Sequence, residues 1–287
     1  MLQLAKFVPP ITALLLFAVG LDLTWEGFRR AREDPRLLLA GLVAPPLLLS
    51  PLALGLVWFF HPSPAIAVGL LLVAMCPIGG ISNTYSYLAG ASTELSVTLT
   101  GLSCLLGAVT IPAARMLFRS VLADTGDFEP PVMRATMQAI LILVIPVGAG
   151  MWARDRWPAW AASRRPLLQR VSMAGVAVLL GAVVAQDARG FMNQFAATAV
   201  LAATFILGSM LLGWVVATLV GASSPDRFTL TVEFATRNLA VATAVAIGTL
   251  GRVEFASFAA IYFLTEVPLM LAAVALFRRR GVAASRP

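Results

Sequence analysis

The sequence predicts an all-α integral membrane protein of about nine transmembrane helices, two of them interrupted near their middle. Three observations predict this. First, 59% of the 287 residues are hydrophobic and only 12% are charged, with a mean hydropathy of +0.88; a soluble domain carries roughly twice that charged share. Second, the apolar runs are about 20 residues long, the length of a membrane-spanning helix, and lack the strict alternation of a transmembrane strand. Third, two of the runs contain groups that hydrocarbon does not tolerate, Cys76-Pro-Ile-Gly-Gly-Ile-Ser-Asn83 and Glu233-Phe-Ala-Thr-Arg-Asn238. A helix broken by Gly and Pro, or a carboxylate, persists in a bilayer chiefly where it lines a cavity.

The predicted spans cover 7–25, 37–59, 65–90, 94–118, 132–152, 167–185, 191–220, 225–248 and 253–277. The first runs into Gly20-Leu-Asp-Leu-Thr24 and shows no small-x-small cleavage site, so it reads as a retained helix, with Asp22 an interfacial cap. The second contains Ala44-Pro45-Pro46, and the third the first broken motif. The fourth carries Ser96 and Thr100, whose i, i+4 spacing projects them from one helical face. The fifth ends at Trp152, which with Trp157 and Trp160 forms an aromatic belt at a membrane edge. Gln138 in the fifth span and Asn193 in the seventh read as polar glue between helices. The eighth contains the second broken motif, and the ninth carries Glu266 in Phe263-Leu-Thr-Glu-Val-Pro268. An acid at that depth is either a proton site or a wall of a binding cavity, unless it snorkels or pairs with an Arg.

The loops orient these spans. Arg29, Arg30, Arg32 and Arg36 follow the first, Arg154, Arg156, Arg164 and Arg165 the fifth, and Arg278, Arg279, Arg280 and Arg286 the ninth. The opposite loops are poor in cations: His61 to Pro64 has no Lys or Arg, and 119–131 sets Asp124, Asp127 and Glu129 against Arg119. The positive-inside rule then places the N-terminus outside and the C-terminus in the cytoplasm of a multi-pass cell (inner) membrane protein. Spans three and eight run in opposite directions and lie five spans apart, as inverted repeats of five would place them. Nine spans are one short of two such repeats, the absent helix being the first. Paired interrupted helices in matching positions of two halves point to the binding site of a secondary transporter.

Composition also excludes other classes. The net charge of +7 comes mostly from loop arginines, so it is no sign of nucleic acid. Cys76 and Cys104 both lie in apolar segments, which argues against a disulfide framework or structural zinc. Cys76 reads as a buried, inert thiol. No nucleophile–base pair or His cluster suggests an enzyme. Nothing points to an obligate protein partner; the expected partners are the lipid bilayer and a small organic anion.

Glu233 organises the polar residues. A carboxylate at the bilayer centre needs a cation, a proton or a neighbouring arginine such as Arg237. Ser82, Asn83, Ser96 and Thr100 offer hard oxygen ligands of the kind a small cation takes, supplemented by carbonyls freed where a helix unwinds. Structural readings stand beside this one. Ser and Thr in membrane helices also bond a carbonyl one turn back, Gly79 and Gly80 also permit close packing, and Glu233 with Arg237 also fits an i, i+4 ion pair.

At these residues the sequence resembles the bile acid:sodium symporter family. The match includes Cys76-Pro77, Gly79-Gly80, Ser82-Asn83, Leu88-Ala89, Leu95-Ser96-Val97, Thr100 and Pro112, then Glu233, Asn238 and Leu239-Ala240. The first span, with Phe17-Ala-Val-Gly-Leu-Asp-Leu-Thr24 and its basic loop, looks like the family's second helix. The resemblance implies a core domain (spans at 37–118 and 191–277) and a panel domain (7–25 and 132–185), with alternating access between them and spans three and eight crossing at the midplane. It implies a Na⁺ site at Ser82, Asn83, Ser96, Thr100 and Glu233. The family's second sodium site uses two glutamines, whose positions fall here near Pro45 and on Arg237. Proline has no side-chain oxygen, and a guanidinium has no acceptor and a fixed positive charge. One Na⁺ with Arg237 and Glu233 leaves the same single net positive charge as two Na⁺ with Glu233. Arg237 therefore reads as a tethered replacement for the second ion, or as the ligand of a substrate carboxylate. Asn238, Asn83, Gly79 and Gly80, with Arg237, are the expected substrate-facing residues, and Glu266 a secondary candidate. The expected function is symport of an organic anion with sodium. A proton-coupled or uncoupled carrier, and a receptor of the same fold that does not transport, are the alternatives.

Overall fold

The computed structural model describes residues 2–25, 29, 34–117 and 140–284. Arg30, Arg32, the 119–131 loop with its acidic residues, Gln138 and Arg286 lie outside the described residues. The helices are α1 (Leu2–Asp22), α2 (Pro35–Leu42), α3 (Ala44–Phe60), α4 (Pro64–Met75), α5 (Ile81–Ala89), α6 (Thr93–Leu117), α7 (Ile145–Arg156), α8 (Pro158–Gln186), α9 (Ala188–Leu219), α10 (Ser224–Ala235), α11 (Leu239–Ala244) and α12 (Ser257–Ala284). A π-helical turn at Ile140–Val144 precedes α7, another at Val245–Thr249 continues α11, and a 3₁₀ turn at Val253–Ala256 leads into α12. Among the described residues there is no strand, only one isolated antiparallel bridge between Ile78 and Arg237.

Five stretches are long and apolar enough to cross a membrane: Pro35–Phe60, Thr93–Ala113, Pro158–Gln186, Ala188–Leu219 and Val253–Arg279. Local sequence sets their ends. Asp34 accepts from the Leu37 N–H at 3.3 Å ahead of Pro35, Asp187 accepts from Gly190 N–H at 2.9 Å to start α9, and Ser223 accepts from Asp226 N–H at 3.3 Å to start α10; each side chain supplies an acceptor for a donor the first turn leaves unpaired. A turn at Val43 divides the second predicted span just before Pro45-Pro46, where missing N–H groups interrupt the helical ladder. The ranges 65–90 and 225–248 each hold two helices separated by a non-helical segment, at 76–80 and 236–238.

α1 packs mainly on α7 and α8, and α9 on α10 and α12. The α1–α7 contact rests on two glycines. A Cβ at Gly20 would lie 2.2 Å from the Val147 carbonyl oxygen, and one at Gly150 2.2 Å from that of Phe17, so any side chain would force the helices apart. Asp22 is not a simple interfacial cap: it is buried, ion-paired with Arg165 and bonded to Gln169 Nε2 at 2.8 Å, which ties the end of α1 to α8. Trp152, Trp157 and Trp160 are exposed, with the Trp152 and Trp157 rings edge to face.

Candidate ion and substrate site

Each break is short and extended. Cys76 leaves the helix (φ −66°, ψ 153°) just ahead of Pro77, as the residue before a proline tends to do. Thr236 is likewise extended after α10 (φ −92°, ψ 108°). The two segments cross and pair. Gly79 N–H donates to the Thr236 carbonyl at 3.1 Å, and Asn238 N–H to the Pro77 carbonyl at 2.8 Å. Side chains satisfy the other freed groups: Ile78 N–H donates to Ser103 Oγ at 3.0 Å, Arg237 Nη2 donates to the Cys76 carbonyl, and the Tyr262 hydroxyl donates to the Ala235 carbonyl. Asn238 Oδ1 caps α11 by accepting from Val241 N–H at 3.1 Å. Irregular backbone at membrane depth is tolerable only when its polar groups are satisfied in this way.

Gly79 permits the crossing, since a Cβ there would stand 2.6 Å from the Arg237 carbonyl oxygen. Gly80 has more room, its nearest neighbour being Val19 Cγ2 at 3.5 Å.

Beside the crossing, five side chains from three helices converge. Glu233 of α10 accepts from Ser82 of α5 at 3.1 Å, from Thr100 of α6 at 3.5 Å and from Ser96 of α6. Asn83 Oδ1 accepts from the same Ser96 at 2.8 Å and Thr100 at 3.3 Å. The Ser82 hydroxyl lies 3.5 Å from that of Ser96 and 3.3 Å from that of Thr100. Ser82, Ser96, Thr100 and Glu233 are wholly buried. The result is a compact cluster of one carboxylate, one amide oxygen and three hydroxyls, with donor set and charge suited to a small hard cation such as Na⁺. Ser96 and Thr100 turn toward Glu233 rather than bonding a carbonyl one turn back, as Thr98 does to Glu94 at 2.9 Å.

Arg237 stands apart from this cluster. The helix has already ended at Ala235, so an i, i+4 geometry with Glu233 does not exist, and no ion pair joins the two among the described residues. The guanidinium reaches instead to the freed carbonyl of Cys76, beyond the end of α4. Its Nε and Nη1 have no hydrogen-bond partner. A pocket of about 20 Å³ adjoins it, lined by Pro45, Pro46, Cys76 and Thr110 among others, room for about one water. Pro45 and Arg237, far apart in the chain, therefore flank one small space.

Asn238 is buried, with its Nδ2 unpartnered, while Asn83 is half-buried and directs its oxygen into the cluster. Glu266 is buried in α12 with neither oxygen hydrogen-bonded; it does not snorkel, and it pairs with no Arg among the described residues. Sequence reasoning missed Ser103, which lies a further turn along the Ser96–Thr100 face of α6, and Tyr262, one turn before Glu266 on α12. Both spacings were visible as helical stripes; the carbonyl and N–H they serve were not.

Residues 9–194 match the sodium bile acid symporter family. The chain belongs to that family. It is a family of transporters and not of enzymes. Among its relatives, a Bacillus subtilis protein named an uncharacterized sodium-dependent transporter is 26% identical over 246 residues, 85% of this chain and 74% of its own. An Arabidopsis thaliana protein named a probable sodium/metabolite cotransporter of the chloroplast is 28% identical over 229 residues, 77% of this chain and 54% of its own. The human ileal sodium/bile acid cotransporter is 27% identical over 175 residues, 61% of this chain and 49% of its own. The chain thus spans about half the length of the plant and human proteins. Glu233, Arg237, Asn238 and Glu266 fall beyond the matched family segment.

Proposed function

We propose that the protein is a secondary transporter that carries a small organic anion together with one Na⁺. The single observation behind this is the convergence of Ser82, Asn83, Ser96, Thr100 and Glu233 from α5, α6 and α10 beside two crossing broken helices. Family membership supports sodium coupling. In this reading nine spans cross the cell membrane, with the N-terminus outside and the C-terminus in the cytoplasm. α1, α7 and α8 form a panel that moves against a core of the remaining helices, and the close packing of α1 on α7 and α8 supports that grouping.

Arg237 takes the place of a second sodium. Its bond to the Cys76 carbonyl puts a fixed cation against a helix terminus that carries partial negative charge, and Pro45 offers no oxygen to the adjoining space. The anion then meets Asn238, the Gly79–Gly80 backbone and the field of Arg237.

Sodium titration of the melting temperature of purified protein, at constant ionic strength and with a panel of 2-oxo acids and bile acids, tests both parts. One-ion coupling gives a sodium Hill coefficient near one and a further rise with the transported carboxylate. A coefficient near two overturns the role given to Arg237, and a melting temperature indifferent to Na⁺ against K⁺ overturns sodium coupling.

A further inference from the structure

The core holds a second buried carboxylate that the ion cluster does not use. Glu266 is 1% exposed, and neither carboxylate oxygen has a hydrogen-bond partner. The Thr236 hydroxyl approaches it from the second break, near enough to lend weak hydrogen-bond support but without a well-aligned bond, and the Tyr85 hydroxyl lies within electrostatic range on α5; both hydroxyls are buried without another partner. The other charged or titratable groups facing Glu266 are Tyr262, one turn back on α12, and Arg237. The Tyr262 hydroxyl is committed to the Ala235 carbonyl and the Arg237 guanidinium to that of Cys76. α4, α8, α9, α11 and the 3₁₀ turn also pack on α12, and among the described residues they present no further such group to Glu266.

An ionised carboxylate buried away from water, with no cation and no well-formed hydrogen bond, is among the most costly groups to bury, whereas its neutral acid needs only an acceptor. A hard cation would need several oxygens gathered around it, as at Glu233; here the Thr236 hydroxyl is the one oxygen beside the carboxyl, and no well-aligned hydrogen bond joins them. We propose that Glu266 is a proton-binding site, occupied while the core is closed to water, and that this proton is a second coupling ion beside the sodium at Glu233.

Charge balance favours the same assignment. One Na⁺, Glu233 and Arg237 together carry one net positive charge, the field an anion requires. An ionised Glu266 cancels that charge and a protonated one keeps it. Emptying the site as the core opens to water restores the carboxylate and releases the anion's electrostatic partner. The second-ion role rests on the sodium reading; the proton site itself does not.

Infrared difference spectroscopy of the reconstituted full chain in saturating NaCl tests the site without a substrate. Sodium keeps Glu233 ionised, so the carbonyl stretch of a buried, protonated carboxylic acid belongs to Glu266. The band is expected at neutral pH, moves in D₂O, disappears reversibly in alkali, is lost in Glu266→Gln and survives in Glu233→Gln. If Glu266→Gln does not fold, Glu266→Asp shifts the band instead. A band unmoved by either Glu266 variant overturns the proposal, as does one that never titrates. The melting temperature supplies a second readout. A native state that holds a proton the unfolded chain releases loses stability as pH rises, so the wild-type value falls with pH more steeply than that of Glu266→Gln; equal slopes overturn the proposal. A protein that ignores sodium while this band still titrates loses the sodium reading and keeps the proton site.

Discussion

Glu233→Gln separates an ion ligand from a structural acid. The substitution keeps the size of the side chain and one carbonyl oxygen, which can accept either from Ser82 and Thr100 or from Ser96; it removes the negative charge and turns the other acceptor into an NH2 donor facing hydroxyl oxygens. At an effective dielectric constant of about 20, unit charges about 4 Å apart attract by about 4 kcal/mol, equivalent to about a thousandfold in sodium affinity. Without sodium the sign reverses. The wild-type carboxylate is buried with no cation within ion-pair distance among the described residues, a costly arrangement that the neutral amide relieves. The variant is therefore expected to melt at or above the wild-type temperature in choline chloride, and to show no rise on replacing choline with sodium. The wild type gains about 2.7 kcal/mol when sodium reaches 100 times its dissociation constant. A differential scanning assay on detergent-purified protein reads both effects. Sodium stabilisation of the variant with half-saturation within about tenfold of wild type refutes the assignment of Glu233 as the cation's counter-charge.

The crossing and its supports give further expectations. Gly79→Ala sets a Cβ 2.6 Å from the Arg237 carbonyl oxygen, while Gly80→Ala meets only Val19 Cγ2 at 3.5 Å; the first is expected to cost about 1–3 kcal/mol and blunt the sodium response, the second to do neither, both read by melting. Arg237→Gln withdraws the guanidinium from the Cys76 carbonyl and is expected to raise the sodium Hill coefficient above one in the same titration, since the fixed cation no longer excludes a mobile one. Loss of carboxylate binding with unchanged sodium dependence would make Arg237 a substrate ligand instead. Tyr262→Phe deletes the hydroxyl that serves the Ala235 carbonyl, leaving a buried acceptor unpaired at a cost of about 1–3 kcal/mol with sodium affinity unchanged. Gly150→Ala places a Cβ 2.2 Å from the Phe17 carbonyl oxygen, and the separation of α1 from α7 is expected to lower thermal stability without altering the sodium midpoint.

The polar residues were the legible part of this chain. A serine, an asparagine or a glutamate stands out against hydrocarbon, so Ser82, Asn83, Ser96, Thr100 and Glu233 were legible as candidate oxygen ligands, and the resemblance to the symporter family drew them into one site. Helix ranges followed from apolar length, the first break from Gly and Pro, and the second from the polar run of Glu233, Arg237 and Asn238. What the sequence concealed was direction. The i, i+4 spacing of Glu233 and Arg237 left an ion pair open as the structural alternative, and that pair requires a continuous helix between them. The chain leaves the helix at Ala235, and alternation along the extended segment sends Thr236 toward α12 and Arg237 toward Cys76. Gly20 and Gly150 were unremarkable among 22 glycines, because only the facing helix makes a missing side chain informative.

The bridge between Ile78 and Arg237 also has a genetic consequence. It is one rung of antiparallel pairing, and a rung fixes register between two segments more than 150 residues apart in sequence. Insertion or loss of a single residue ahead of Thr236 in the second break would rotate the alternation by half a turn, turning the Arg237 guanidinium away from the Cys76 carbonyl and toward Glu266, and a change of length in the first break would shift the Cys76 carbonyl out of register with it. Substitutions can tune the charges at this centre one at a time; a change of length displaces them together. The two short connectors should therefore tolerate changes of composition far better than changes of length.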